Sequence, residues 1–443
     1  MSDPYWNEEI ETLSRDGVEH LESERLQAQM AYLYASSDYF RARFDQAGIK
    51  PQTIRNRIDL AAIPFMEKHE IAESQQQGQL LGINQCAAQS DIIRIQATGG
   101  TTGRPMRVGW TRQDLTDYCE VGSRALWANG CRPDDLVFEC MNYNLYAGGV
   151  SDHMCFENLG AATIPYGVGN SLRLLEMMQE IKQANKQGSS IWATPSYAIR
   201  LAQLARENNM EPRDMGLRKG FFSGEAGMQV AGYREKIEDS WGLVASDMYG
   251  TGELGMHSGE CRHRNHLHYG ATGVVLTELI DPETTEPVAF EEGAIGEFVY
   301  TSLRRQACPH LRMRSRDLMQ VFVETCDCGR TGFRFKTLGR SDDMFIVKGV
   351  NVFPLAVQAT LMGLRPRLTG EFQIILHRPP PIDYAPRVLV EVASDYPQDQ
   401  YERLVSDTMS AISNDLNVSV SIELVEEGSI STEKKSQRLI RDY

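Results

Sequence analysis

Between about residues 5 and 85, apolar positions such as Leu21, Leu26 and Tyr32 recur at helical spacing, and Asp3-Pro4 offers a helix start. The middle of the chain alternates short apolar runs with amphipathic stretches. Ile92 to Ile95, Asp135 to Phe138, Ser190 to Ala193 and Gly220 to Phe222 read as strands, and Tyr197 to Asn208 and Gln229 to Ser240 read as helices. Strands alternating with helices predict a layered α/β domain. From about residue 270, Gly273 to Ile280 and Gly296 to Thr301 suggest an antiparallel sheet or small barrel. After Gly339 the pattern restarts: Met344 to Lys348, a helix after Pro354, Phe372 to Leu376, Val388 to Val392, a helix Gln400 to Leu416, and Val418 to Val425. The reading is a large N-terminal unit over 1–339, a connection at 340–343, and a small α+β unit over 344–443 ending in a basic tail.

A length of 443 residues exceeds what one hydrophobic core usually serves, which agrees with more than one domain. The net charge of −15 argues against nucleic acid or an anionic membrane as the main partner, while leaving room for a local phosphate site. No apolar run approaches the ~20 residues of a membrane helix, and the first residues lack a signal-peptide core, so a cytoplasmic protein is expected. Nine cysteines in such a chain do not make a disulfide framework. The close pair Cys326 and Cys328 stands apart from the rest.

One loop draws attention to anion chemistry. Thr98-Gly99-Gly100-Thr101-Thr102-Gly103-Arg104-Pro105 follows a strand and combines bendable backbone, hydroxyl donors and a cation. It lacks the Gly-Lys-Ser/Thr ending of a Walker loop. Composition alone leaves a phosphate loop and a flexible turn about even, and the three hydroxyls favour phosphate.

That loop resembles the signature of the adenylate-forming superfamily. Further segments in the family's order make the chain similar to the phenylacetate-CoA ligases: Ala193 to Tyr197, Phe222 to Glu225, Tyr249-Gly250-Thr251-Gly252-Glu253, Arg312 to Leu318, Gly339 to Met344, Gly349 to Pro354 and Lys435 to Arg438. The resemblance implies ATP-dependent activation of a carboxylic acid as acyl-AMP, with pyrophosphate leaving, then acyl transfer to a thiol such as coenzyme A. Catalysis of this kind is mostly positioning and charge stabilisation, usually with Mg²⁺. By resemblance, Glu253 holds Mg²⁺ and Thr251 touches the α-phosphate region. Tyr249 packs on adenine beside Gly250, Ser223, Gly224 and Glu225. Asp317 accepts the ribose hydroxyls, and Arg340 also contacts the sugar. Lys435 is the catalytic lysine carried by a mobile C-terminal domain, with Lys434 the second choice, and Asp342 is the hinge. The family has a hydroxyl residue directly before its Glu, whereas this chain has Gly252.

The acyl pocket is expected to draw on Tyr143, Tyr146, Gly148, Gly149 and His153. Asn142, Asn144, Asp152, Cys155 and Phe156 depart from the family's pattern here. Polar groups in a pocket are costly unless a ligand pairs with them, which points to a ring bearing hydroxyl or amino groups. The alternative is that they face backbone or water, and His153 reads equally as a core histidine or a gate. Some members of the family carry a structural zinc. Cys326 and Cys328 with Cys261 and His268 match it, His266 being the next choice; the alternative is a pair of reduced thiols. Competing readings are an adenylating enzyme that loads a carrier protein or condenses aryl acids, and a zinc-stabilised nucleotide-binding protein without catalysis. The oligomeric state, a homodimer included, stays open.

Overall fold

The computed structural model describes residues 3–98, 105–185, 187–430 and 438–443. Three helices open the chain after short turns: Glu8–Glu11, Arg15–Ser36 and Asp38–Gln46. Asp3 does not start a helix. It accepts from Tyr5 N in a turn, and the long helix begins where the Ser14 hydroxyl accepts from Gly17 N. A later helix, Lys68–Gln76, opens on a reciprocal capping box between Glu67 and Glu70. That box fixes Lys68 at the first helical position, with its side chain free of the helix.

The large unit is built on eleven strands in one continuous sheet. Its order is Val275–Ile280, Ile295–Ser302, Met313–Phe322, Arg334–Arg340, Leu267–Tyr269, Gly255–Gly259, Val244–Thr251, Leu217–Phe222, Ser189–Ala193, Leu136–Glu139 and Ala162–Pro165. The last five are parallel neighbours joined by crossover helices, as the alternating pattern predicts. Ser189–Ala193 is buried throughout, as a strand covered on both faces must be. The antiparallel part begins at Gly255–Gly259, before residue 270, and of the two forms expected for it, sheet or small barrel, the described strands take the sheet, continuing the parallel strands.

The small unit has a four-stranded sheet ordered Ser421–Val425, Arg387–Val392, Leu368–Leu376 and Leu439–Arg441, with helices Pro354–Met362 and Tyr401–Leu416 packed on it. Its core runs from Phe345 to Leu439 and contains no residue before 345. The end of the chain is more than a solvated basic tail: Leu439–Arg441 pairs in parallel with Leu368–Leu376. Among the described residues, no helix is long and apolar enough to cross a membrane.

Candidate active site

In an open α/β sheet, ligands meet the carboxyl ends of the parallel strands, because loops and helix N-termini converge there. Four predicted segments follow such ends. Glu139 ends one strand and leads into the Tyr143 to Gly149 run. Ala193 ends the next, and Thr194 caps the helix Pro195–Glu207. Phe222 leads into Ser223, Gly224 and Glu225, and the fourth strand runs into Tyr249, Gly250 and Thr251. The carboxylate of Glu225 accepts from Ser196 N at 3.1 Å and Ser196 Oγ at 2.7 Å, which ties two of these loops together.

Thr98 is buried, and its N–H donates to Met106 O. Gly99, Gly100, Thr101, Thr102 and Gly103 lie outside the described residues, as does Lys435. A Cβ at Gly252 would lie 2.9 Å from Thr98 Cα, so the backbone beside Glu253 presses directly on Thr98. Thr251 Oγ1 accepts from Leu254 N at 3.2 Å and shapes that turn.

Glu253 is 4% exposed and its Oε1 meets Lys68 Nζ at 2.8 Å. Burial alone would raise its pKa. The Lys68 ammonium outweighs that and holds it at about 2, so the carboxylate is ionised and suited to a hard divalent cation. Nearby His310, desolvated and beside Arg305, is pushed down to about 3 and is neutral. Sequence motifs point to neither Lys68 nor His310.

A second constellation gathers Tyr249, Asp317 and Arg340. Tyr249 OH donates to Asp317 Oδ2 at 2.6 Å, and Arg340 Nη1 donates to Oδ1 at 3.1 Å. Arg340 also grips Asp342 through two bonds, at 2.8 and 2.7 Å. Asp317 is aimed by its neighbour: Arg316 takes φ +65° while its guanidinium reaches Glu67 at 2.6 Å. The rings of His257 and Phe335 stand edge-on to Tyr249.

The small unit docks beside the Ser223 to Glu225 loop. Arg438 Nη1 donates to Glu371 Oε2 at 2.7 Å, and Tyr233 OH of the large unit donates to Glu371 Oε1 at 3.1 Å. Lys236 Nζ donates to Thr369 O, and Arg365 Nη1 to Gly232 O, both at 2.8 Å. The hinge candidate Asp342 has its carbonyl held by Arg441 Nη2 at 2.7 Å.

In the candidate acyl segment, Ala97 N donates to Leu145 O, and Ala97 bridges Tyr146, so this run lies against the end of the strand Arg94–Ala97. The Gly148 carbonyl accepts from Trp192 Nε1. Tyr143 OH and His153 Nδ1 are 2.9 Å apart, and His153 Nε2 is 3.0 Å from Glu157. His153 is thus a tethered, half-buried ring. Of the polar departures, Asn142 Oδ1 accepts from the Asn144 amide within its own loop, and Asn144 is exposed. Cys155 and Phe156 belong to the core. Asp152 is the one charged group among them that is buried, accepting from Tyr118 OH at 2.5 Å.

Apart from these groups, ligand atoms of Cys261, His268, Cys326 and Cys328 all lie within 4.8 Å of one another. The Cys261–Cys326 sulfurs are 3.7 Å apart, and Cys328 Sγ is 3.5 Å from His268 Nε2. A tetrahedral zinc site has S···S edges of roughly 3.8 Å and S···N edges of roughly 3.5 Å, so the set fits. His266 instead stacks on Phe322.

Residues 28–302 match the AMP-binding enzyme family and residues 349–442 the AMP-binding enzyme C-terminal domain. The phenylacetate-coenzyme A ligase of Thermus thermophilus is 32% identical over 403 residues, covering 90% of this chain and 87% of that protein. The enzyme of the same name from Escherichia coli is 30% identical, covering 83% of this chain and 81% of its own. Among solved structures, 2-hydroxyisobutyryl-CoA ligase in the postadenylation state with R3-HIB-AMP superposes with a TM-score of 0.91 at 29% identity, over 100% of this chain and 93% of that one. The same ligase in its thioesterification state, with 2-HIB-AMP and CoA, gives 0.73 at 30% identity over 99% and 93%. With both domains matched in order and relatives aligned over most of its length, this chain belongs to the AMP-binding enzyme family, with the phenylacetate-coenzyme A ligases, and is an AMP-forming acid–thiol ligase.

Proposed function

We propose that the acid is aromatic and the acceptor thiol is coenzyme A. The observation that carries this reading is the acyl segment, where Tyr146 bridges Ala97 and Tyr143 stands against His153, in a chain aligned with phenylacetate-coenzyme A ligases. Those relatives also favour coenzyme A over a carrier protein. In the first half-reaction an oxygen of the acid bonds to the α-phosphorus of ATP, the bond to the leaving phosphate breaks, and pyrophosphate departs. In the second, the thiol sulfur bonds to the acyl carbon and AMP leaves.

The chain's residues take the following roles. Asp317 accepts the ribose hydroxyls, with Tyr249 and Arg340 fixing both its oxygens. Ser223, Gly224 and Glu225 border the nucleotide base, and Glu225 holds that loop to Thr194-Pro195-Ser196. Thr98, the loop that follows it and Thr251 donate to phosphate oxygens. Glu253 is the residue that would hold Mg²⁺, which when bound offsets charge on the phosphates. Lys435 approaches the α-phosphate from the small unit, supported by the docking of Arg438, three residues on, beside Glu225 through Glu371.

The superposition scores support a postadenylation arrangement here, and rotation about Asp342 between residues 1–339 and 344–443 reaches the thioester-forming one. Arg340 releasing Asp342 is the local change such rotation needs. Cys261, His268, Cys326 and Cys328 hold a structural zinc. Nine cysteines, none in a disulfide, suit a cytoplasmic enzyme.

The test is pyrophosphate release with ATP and Mg²⁺ over aryl acids, phenylacetate and 2-hydroxyisobutyrate, with and without coenzyme A. Aryl-acid-dependent release, accelerated by coenzyme A with thioester formed, is expected. Turnover of aliphatic acids alone would refute the aromatic reading.

A further inference from the structure

Asp152 lies in the helix Ala147–Leu159, on the turn after Gly148. Its carboxylate is 4% exposed. Tyr118 donates to Oδ1, and Tyr118 is itself fixed: Met256 N donates to its hydroxyl, and its ring fills the space beside Gly255, two residues beyond Glu253. No donor among the described residues reaches Oδ2 with a hydrogen bond. That oxygen instead lies on the side of Gly148, where a Cβ would stand 3.6 Å from Met141 and 3.8 Å from Asp152 Oδ2. A methyl-sized group is therefore accommodated at Gly148 in ordinary contact, with an acceptor beside it.

Burial of the residue pushes Asp152 up to about 7. A second buried acid lies close by. Glu139 is fully buried, its Oε1 accepts from Met141 N, and its Oε2 has no partner. Desolvation pushes it up to about 9, so at neutral pH it stays protonated, and Asp152 is the group of the two that ionises. The start of the helix adjoins Ala97, one residue before Thr98, and the reaction of the acid's carboxylate is placed on this side by the proposed function. Asp152 is five residues further, about 7.5 Å of helical rise, a span suited to a benzene ring and one substituent.

We propose that Asp152 is the specificity-determining residue of the acyl pocket, and that the acid it selects carries an N–H or O–H donor on its ring. This deepens the aromatic-acid reading and rests on it. An amino or phenolic group donates to Oδ2 and completes the partners of the carboxylate. Halogen, methoxy and unsubstituted rings leave Oδ2 unpaired in a water-poor site, which is how such sites reject close analogues.

The experiment measures acid-dependent pyrophosphate release, as kcat/KM, for matched ring positions. Aminobenzoates and hydroxybenzoates are set against benzoate and the fluoro and methoxy analogues, for the wild type, D152N, D152A and Y118F. The wild type is expected to prefer donor-bearing acids on the order of 10²-fold or more. D152A is expected to erase that preference by losing the donor acids and gaining the plain ones, which also reports that it is folded. Isosteric D152N is expected to weaken the preference, and Y118F to keep part of it. Amino and hydroxy arms show which donor is taken. Equal wild-type rates for plain and donor-bearing rings, or a preference that survives both Asp152 variants, would overturn the proposal while leaving the aromatic reading intact. Turnover of no aryl acid overturns both.

Discussion

Replacing Lys68 by methionine is expected to uncover the electrostatic demand of Glu253. The folded carboxyl sits at about 2 against an ordinary 4.5. At about 1.4 kcal/mol per unit of pKa, that depression corresponds to about 3 kcal/mol of stability. Because the folded value lies below the unfolded one, this contribution is fully present above pH 4.5 and disappears as the pH falls towards 2. Lys68 is 36% exposed and its partner 5%, so the coupling between them is set somewhat lower, at about 2–3 kcal/mol.

A double-mutant cycle of Lys68→Met and Glu253→Gln isolates it. Lys68→Met alone strands a buried charge and is the costlier change, whereas Glu253→Gln alone frees a lysine that reaches water. The five tryptophans all precede residue 340, so denaturant unfolding followed by tryptophan fluorescence reports the large unit without the small one. The coupling should be the same at pH 7 and pH 5, both above the unfolded carboxyl's range. A coupling below about 0.5 kcal/mol at pH 7, or one that vanishes by pH 5, would refute the argument that Lys68 keeps Glu253 ionised.

Three further outcomes are expected. Purified protein should contain about one zinc per chain by mass spectrometry, lost in Cys328→Ser together with stability of the large unit; metal-free wild type would contradict the four-ligand site. Tyr233→Phe removes a buried donor to Glu371, which is worth about 1–2 kcal/mol. It should slow adenylation roughly tenfold and leave thioester formation from supplied acyl-AMP unchanged; equal loss in both half-reactions would show that this contact does not belong to the adenylating arrangement. Gly252→Ser, which restores the family's hydroxyl, should weaken rather than improve ATP use, because its Cβ meets Thr98 at 2.9 Å; improved kcat/KM for ATP would refute that packing argument.

Much of the site was legible because its groups sit in local runs with their own chemistry. Tyr249 to Glu253 runs off the end of a strand, Arg340 to Asp342 ends another, and the cysteine pair lies in a tight turn. What stayed hidden involves residues far apart in the chain. The Glu67–Glu70 box that presents Lys68 is readable, since a capping box is a four-residue pattern. Its meeting with Glu253 is not, because no local rule links the two segments. The same holds for Tyr233, Glu371 and Arg438, which become one contact only when the two units dock. The end of the chain reads as a charged tail because Leu439–Arg441 is too short to show a strand period, and it becomes ordered by pairing with Leu368–Leu376.

By itself the sequence determined the α/β layering and the restart after Gly339, which are written in periodicity. The candidate nucleotide motifs and zinc-ligand positions came from resemblance to the family. The tertiary structure alone decided which polar groups end up without a donor. Asn142, Asn144 and Asp152 look alike as departures in the acyl segment. Folding turns Asn142 onto its own loop, leaves Asn144 in water, and buries Asp152 against Tyr118 with one oxygen open. Composition cannot tell these fates apart, because desolvation depends on what other segments bring to the same place.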